Sequence, residues 1–177
     1  MLQNVEVIRA DITTLEVDAI VNAANVLLRK GSGVSKAIFR RAGWRLKRAC
    51  RKIGFVSPGN AVITPGFKLL SEYVIHTMGP LYGRGIEDNV VTLSNCYKNC
   101  LSLAREHNVK TIAFPCISTG AYGFPFDKAA EITLSVLKNE ELTMFEKIYL
   151  VCYTDSDYHR YKKIEEQYQN QRQAQGK

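Results

Sequence analysis

The sequence predicts an α/β domain in which helices cover both faces of a largely parallel central sheet. Two observations carry that prediction. Short segments rich in Val, Ile and aromatic residues alternate with longer segments of helical spacing, the pattern of an α/β/α layered domain. Several of the short segments are also near-continuous apolar runs, as strands buried on both faces are. The chain has 177 residues and neither repeats nor an internal linker. It therefore fits one domain, since single domains commonly run to roughly 100–200 residues. That length buries enough surface to need no disulfide or metal staple.

In chain order, strands are expected at Val5–Arg9, Ala19–Ala23, Ala61–Thr64, Tyr73–Met78, Thr111–Pro115 and Ile148–Tyr153. Between the second and third, Val34, Ala37, Ile38, Ala42, Leu46 and Ala49 recur at three- and four-residue steps, which predicts one helix over Val34–Lys52. Leu93, Tyr97, Cys100, Leu101 and Ala104 mark the next helix, and Ala129, Ile132, Val136 and Leu137 another. From about Tyr158 the chain reads as a charged helix. The domain is expected to span residues 1–168, with 169–177 a disordered, Gln-rich basic tail.

Composition narrows the class. Residues Met1–Thr14 carry Glu6, Arg9 and Asp11 and lack the apolar core of a signal peptide. No apolar run approaches the ~18 residues of a membrane span. A soluble, cytoplasmic protein is expected, and a monomer. Cys50, Cys96, Cys100, Cys116 and Cys152 include no Cys-x-x-Cys pair, so they read as free thiols packed as small hydrophobes, with no metal site and no cofactor. The net charge of +7 is unevenly placed. No acidic residue lies between Asp18 and Glu72, where Arg29, Lys30, Lys36, Arg40, Arg41, Arg45, Lys47, Arg48, Arg51 and Lys52 fall. Such a face attracts polyanions. A secondary contact of RNA or another polymeric phosphate with the basic helix Lys36–Lys52 is one reading, and a solvated helix face the other. Only Phe39 and Trp44 interleave the cluster, which gives no platform for stacking a single strand.

Layered α/β folds place ligands at the carboxyl ends of their strands. Three such ends carry unusual residues. Strand Ala19–Val21 runs into Asn22 and Asn25, then Lys30-Gly31-Ser32-Gly33, then a helix. Glycines let backbone N–H groups converge on one anion, and a helix start favours phosphate. After Thr111–Pro115 comes Ser118-Thr119-Gly120-Ala121-Tyr122-Gly123, again hydroxyls and glycines before a helix near Asp127. A tight turn with a capping Asp describes part of that segment equally well. Two phosphate loops in one sheet suggest a diphosphate. Asp11 follows the first strand and Tyr153 ends the last, so a carboxylate and an aromatic face could hold a base. Each also has a plain alternative, a turn cap for Asp11 and core packing for Tyr153.

Taken together, Ala10-Asp11-Ile12-Thr13, Val21-Asn22-Ala23-Ala24-Asn25 and Gly31-Ser32-Gly33-Val34 resemble the front half of macro domains. Ile75-His76-Thr77-Met78-Gly79-Pro80 and Phe114-Pro115-Cys116-Ile117 with the Ser118–Gly123 loop resemble the back half. The resemblance runs from about Val5 to Tyr158. It implies a three-layer α/β/α macro domain fold with a mixed, largely parallel sheet of six or seven strands. It also implies a site for ADP-ribose and ADP-ribosylated protein, and makes poly-ADP-ribose a secondary partner for the basic helix Lys36–Lys52. Asp11 and the Ile12 backbone would hold the adenine, with Tyr153 stacked on or beside it. Gly31, Ser32, Gly33 and Val34, with Ser35 after them, and Ser118, Thr119, Gly120, Ala121 and Tyr122 would hold the diphosphate. Asn25 would bind the distal ribose and Asn22 would shape the loop.

The implied activity is mono-ADP-ribosyl hydrolysis, removing ADP-ribose from Asp or Glu side chains, with Asn25 and Tyr122 as the catalytic residues. The alternatives are a non-catalytic reader, a deacetylase of O-acetyl-ADP-ribose, and a phosphatase of ADP-ribose 1″-phosphate. One departure bears on mechanism. The MacroD-type class usually has aspartate where this chain has Ser35, and a serine cannot serve as a carboxylate base at neutral pH.

Overall fold

The computed structural model describes residues 2–83 and 89–175, with side chains as far as residue 170. Six strands form one sheet: β1 (Val5–Arg9), β2 (Ala19–Ala23), β3 (Ala61–Pro65), β4 (Tyr73–Thr77), β5 (Thr111–Pro115) and β6 (Lys147–Cys152). Their spatial order is β1-β6-β5-β2-β4-β3. All neighbours pair in parallel except β3 and β4, which are antiparallel. The sheet is thus mixed and largely parallel, and the alternation of apolar runs with helical periods was a sound guide to it.

Strand residues alternate between two apolar layers, as the two-residue period of a strand requires. From β2, Ala19 and Val21 enter one layer and Ile20 the other. From β5, Ile112 and Phe114 go one way and Ala113 the other. The first layer is roofed by α3 (Asn89–Glu106), α4 (Phe126–Asn139) and α5 (Asp155–Gln175). The second lies under a single 3-10 turn, Ile12–Thr14, with α1 (Gly33–Ala42) and α2 (Trp44–Ile53). Ile20, Ile75, Ile112 and Phe114 are fully buried, each contributing on the order of 2 kcal/mol from area removed from water.

Strand ends agree with the sequence reading to within one residue, and two helical segments differ from it. The expected helix Val34–Lys52 is two helices, broken at Gly43, whose φ of 83° and ψ of −170° suit only glycine. The apolar period survives the break because Ala42 and Leu46 both point into the second layer. At the other end, α5 runs on to Gln175, past the expected boundary at 168. Residues 169–175 contain no glycine or proline to stop a helix, and Gly176 follows. No helix among the described residues is long and apolar enough to cross a membrane. The cysteines are free thiols, all buried except the half-buried Cys116.

A polar cluster interrupts the second layer. His76 of β4 is fully buried, with Nδ1 3.0 Å from Asn22 Nδ2 and Nε2 2.9 Å from Thr64 Oγ1. An amide nitrogen can only donate, so Nδ1 is the acceptor and the ring carries its proton on Nε2, donating to Thr64. Burial holds the imidazole neutral, pushing its pKa down to about 3.

Candidate functional site

Strands β1, β6, β5 and β2 point their carboxyl ends the same way, and a cleft of about 580 Å³ lies across those ends. Its residues come in the order of the strands. Asp11 and Ile12 follow β1, and Tyr153 follows β6. The segment Ser118–Tyr122 follows β5, and Asn25 with Gly31–Ser35 follows β2. Parallel strands lie ~4.8 Å apart, so the two ends of this row are separated by three spacings, roughly 14 Å. A linear ligand would meet the four groups in sequence.

The loop after β2 is braced by its own side chains. Asn25 Nδ2 donates to Arg29 O at 2.7 Å, and Arg29 N donates to Asn25 Oδ1 at 3.0 Å. Leu28, at φ 52°, is buried beneath this bridge. Ser35 is buried, and its hydroxyl accepts the Gly31 amide at 3.3 Å. The hydroxyl at the position of interest for mechanism is thus part of the loop's frame. Helix α1 then starts without a cap, because the Ser32 side chain makes no capping bond. The first amides of a helix have no partner within it. Those of Gly33, Val34 and Ser35 therefore present partial positive charge where the chain meets the cleft.

The loop after β5 is held differently. Ser118 sits at φ 65°, left-handed backbone that is costly for a residue with a Cβ, and it is only 6% exposed. Phe124 N donates to Ser118 O and Gly123 N to Gly120 O, both at 2.9 Å, which closes the turn. The Thr119 hydroxyl donates back to Cys116 O at 3.0 Å. Left over are the N–H groups of Gly120, Ala121 and Tyr122 and the Ser118 hydroxyl, none with a partner among the described residues. The amides of Gly120 and Ala121 belong to exposed residues, open to solvent or a ligand, whereas the Ser118 hydroxyl is buried, where polar groups are normally satisfied. Gly79 makes the arrangement possible. A Cβ there would lie 2.0 Å from Ser118 Oγ and 2.7 Å from Ile117 Cγ2.

At the β1–β6 end, Asp11 uses one oxygen, Oδ1, to accept from Thr13 N (3.0 Å) and Thr13 Oγ1 (2.7 Å). It caps the turn, as the plain reading had it, and keeps Oδ2 for an outside donor. Tyr153 is 76% exposed, so it belongs to the rim and not to the core. Thr154 caps α5: its hydroxyl accepts Asp157 N at 3.0 Å and donates to Asp157 Oδ2 at 2.7 Å. Asp11 and Asp157 are the carboxylates lining the cleft among the described residues, and both belong to this end.

Residues 21–133 match the Macro domain family model. The chain belongs to the macro domain family. Macro domain-containing protein RSc0334 of Ralstonia nicotianae is 49% identical over 150 residues, covering 85% of this chain and 87% of that protein. The Enterobacter protein named O-acetyl-ADP-ribose deacetylase is 44% identical over 171 residues, covering 93% and 94%. Among solved structures, the Trypanosoma brucei macrodomain in complex with ADP-ribose is similar with a TM-score of 0.84 and 35% identity, covering 90% of this chain and 68% of that one.

Within this macro domain, the cleft brings together every residue singled out from the sequence except one. Asn22 does not line it. It is fully buried, and its amide faces His76 behind the loop, because the alternation along β2 turns residue 22 into the helix-covered layer. Among the lining residues not singled out as ligand groups are Lys36 and Arg40, one turn apart on α1, Gly79 and Asp157. The four-residue spacing of the two cations was visible, but they were counted with the outer face of the helix. Cys116 also lines the cleft, its thiol held protonated by the Cys152 thiol at 3.9 Å and by burial.

Proposed function

We propose that the cleft binds ADP-ribose stretched across four strand tips and that the protein hydrolyses an acyl linkage on the distal ribose. The observation that carries this is the presence in one cleft of two sets of unpartnered backbone amides, at the start of α1 and in Gly120–Tyr122. Two such nests suit two linked phosphates. With the phosphates there, the strand order supports an adenine beside Asp11 and Tyr153 and a distal ribose beside Asn25. The family's similarity to a complex with ADP-ribose supports the same assignment.

The chemistry must manage without a side-chain base at the ribose end, since both lining carboxylates sit at the other end and Ser35 is tied to Gly31. Where ADP-ribose is linked to Asp or Glu, the bond from the anomeric carbon to the carboxylate oxygen breaks, and the carboxylate leaves with the bonding pair. Water adds its oxygen to the oxocarbenium-like carbon and gives its proton to a substrate phosphate oxygen. The carboxylate is a good leaving group and needs no strong acid. Positioning then does most of the work, and can supply several kcal/mol. Asn25 fixes the ribose and Tyr122, half-buried beside it, limits its movement. The name of the Enterobacter relative favours a second substrate with an ester on the same ribose, O-acetyl-ADP-ribose. Where the acetyl sits on a ring hydroxyl, water would add to its carbonyl carbon, the acyl C–O bond would break, and acetate and the ribose hydroxyl would be released.

The test is single-turnover release of labelled ADP-ribose from a glutamate-modified protein, run beside acetate release from O-acetyl-ADP-ribose. Release from either establishes a hydrolase and ranks the two esters. Tight binding with release from neither would make the protein a reader.

A further inference from the structure

The acceptor attached to the distal ribose must leave the cleft over the loop after β2, and that loop's outer surface has an unusual make-up. Val26 and Leu27 are 42% and 47% exposed. Val56 N donates to Val26 O at 2.9 Å, which brings the end of α2 alongside and with it Phe55, 65% exposed. Lys30 and Lys52, both exposed, lie three residues from Leu27 and from Phe55 in the chain. They belong to the ten lysines and arginines of residues 29–52, all exposed. None of the ten makes an ion pair among the described residues. The ion pairs there are involve Arg9, Arg105, Lys147, Arg160 and Lys162, cations outside this stretch. These cations thus have no counter-charge within the acid-free stretch of residues 19–71, and Asn25, Lys36 and Arg40 of that stretch line the cleft.

We infer that this lip is an acceptor subsite that selects ADP-ribosylated Asp or Glu lying in acidic protein segments. The inference rests on the proposed binding of ADP-ribose and deepens it by naming the substrate's surroundings. A small ester such as O-acetyl-ADP-ribose ends at the ribose and cannot reach the lip. An acidic segment can, with its carboxylates beside Lys30 and Lys52 and its apolar atoms on Val26, Leu27 and Phe55. Complementary charge of this kind supplies selectivity and faster encounter. Val26 and Leu27 have no ring to stack on a base, which favours a polypeptide, while the exposed Trp44 and Phe55 make RNA the competitor to test.

The experiment compares peptides carrying ADP-ribose through a non-cleavable amide, flanked by Glu and Asp or by Gly and Ser, with free ADP-ribose, by calorimetry. The acidic peptide should bind roughly tenfold tighter than the neutral one at low salt, with the advantage shrinking as salt screens it. The Lys30→Glu/Lys52→Glu variant should lose that advantage and bind free ADP-ribose as before. If the variant does not fold, the salt dependence of the native protein still decides the matter. Equal affinity for the two peptides, with free ADP-ribose bound, overturns this inference alone. Failure to bind free ADP-ribose overturns the reading beneath it. An RNA oligonucleotide that displaces the acidic peptide more effectively than the unmodified acidic peptide does would also overturn it, assigning the lip to nucleic acid.

Discussion

The loops after β2 and β5 offer a ligand the same backbone N–H groups, yet they are held open by opposite means. In the first, side chains satisfy the backbone: Asn25 bridges Arg29, and Ser35 receives the Gly31 amide. Its anion-binding power comes from the uncapped start of α1. In the second, the backbone is left wanting. Ser118 is held at φ 65° with its hydroxyl unpartnered, wedged against a glycine on β4's exit. The first loop is therefore stable when empty and the second is improved by a ligand. Both loops carry a left-handed residue, Leu28 at φ 52° and Ser118 at φ 65°, so the difference lies in the unpartnered groups and not in backbone strain.

The largest expected effect is on turnover and belongs to the first loop. Asn25→Ala should lower single-turnover release about a hundredfold or more while weakening ADP-ribose binding only a few-fold, because positioning is realised in the transition state. Equal losses in both would place Asn25 in binding alone. Next is Gly79→Ala, which pushes a methyl into Ser118. It should cost about 1–3 kcal/mol in denaturant unfolding and weaken ADP-ribose at least tenfold, since the second loop must shift. An unshifted melt and unchanged affinity would show that the wedge is unimportant.

Acid acts on the tie behind the first loop. His76 is neutral in the fold, with a pKa of about 3 against about 6.5 when unfolded. The unfolded chain therefore binds the extra proton first, so this contribution to stability is complete above about pH 6.5. It is lost as pH falls toward 3, on the order of a few kcal/mol. Unfolding followed from pH 7 to pH 4 should show the fall, and His76→Gln should flatten it. The smallest effect is at Ser118. Replacing it with Ala removes an orphan hydroxyl and should raise stability by about 1 kcal/mol while weakening ADP-ribose several-fold. Loss of both would mean the hydroxyl has a structural partner.

The contrast also explains what could be read from the sequence. Strand positions and both loops were legible, because apolar runs, Gly-Ser-Gly and Ser-Thr-Gly are local signals. The break at Gly43 was hidden by an apolar period that continues through it. Asn22 looked like part of the loop, yet its direction depends on strand alternation and on a histidine 54 residues away. The role of Gly79 depends on contact between the ends of β4 and β5, which no local pattern encodes. Asp11 had two readings, turn cap and ligand group, and its geometry accommodates both, because the cap uses only Oδ1. Exposure decided Tyr153 for the rim.

The account depends on a diphosphate held between the two loops, and titration of the folded protein with ADP-ribose and with AMP tests that most directly. It predicts one saturable site for ADP-ribose, with AMP at least tenfold weaker because it can engage only one nest. Equal affinity for the two, or neither heat nor thermal stabilisation from ADP-ribose, would contradict it.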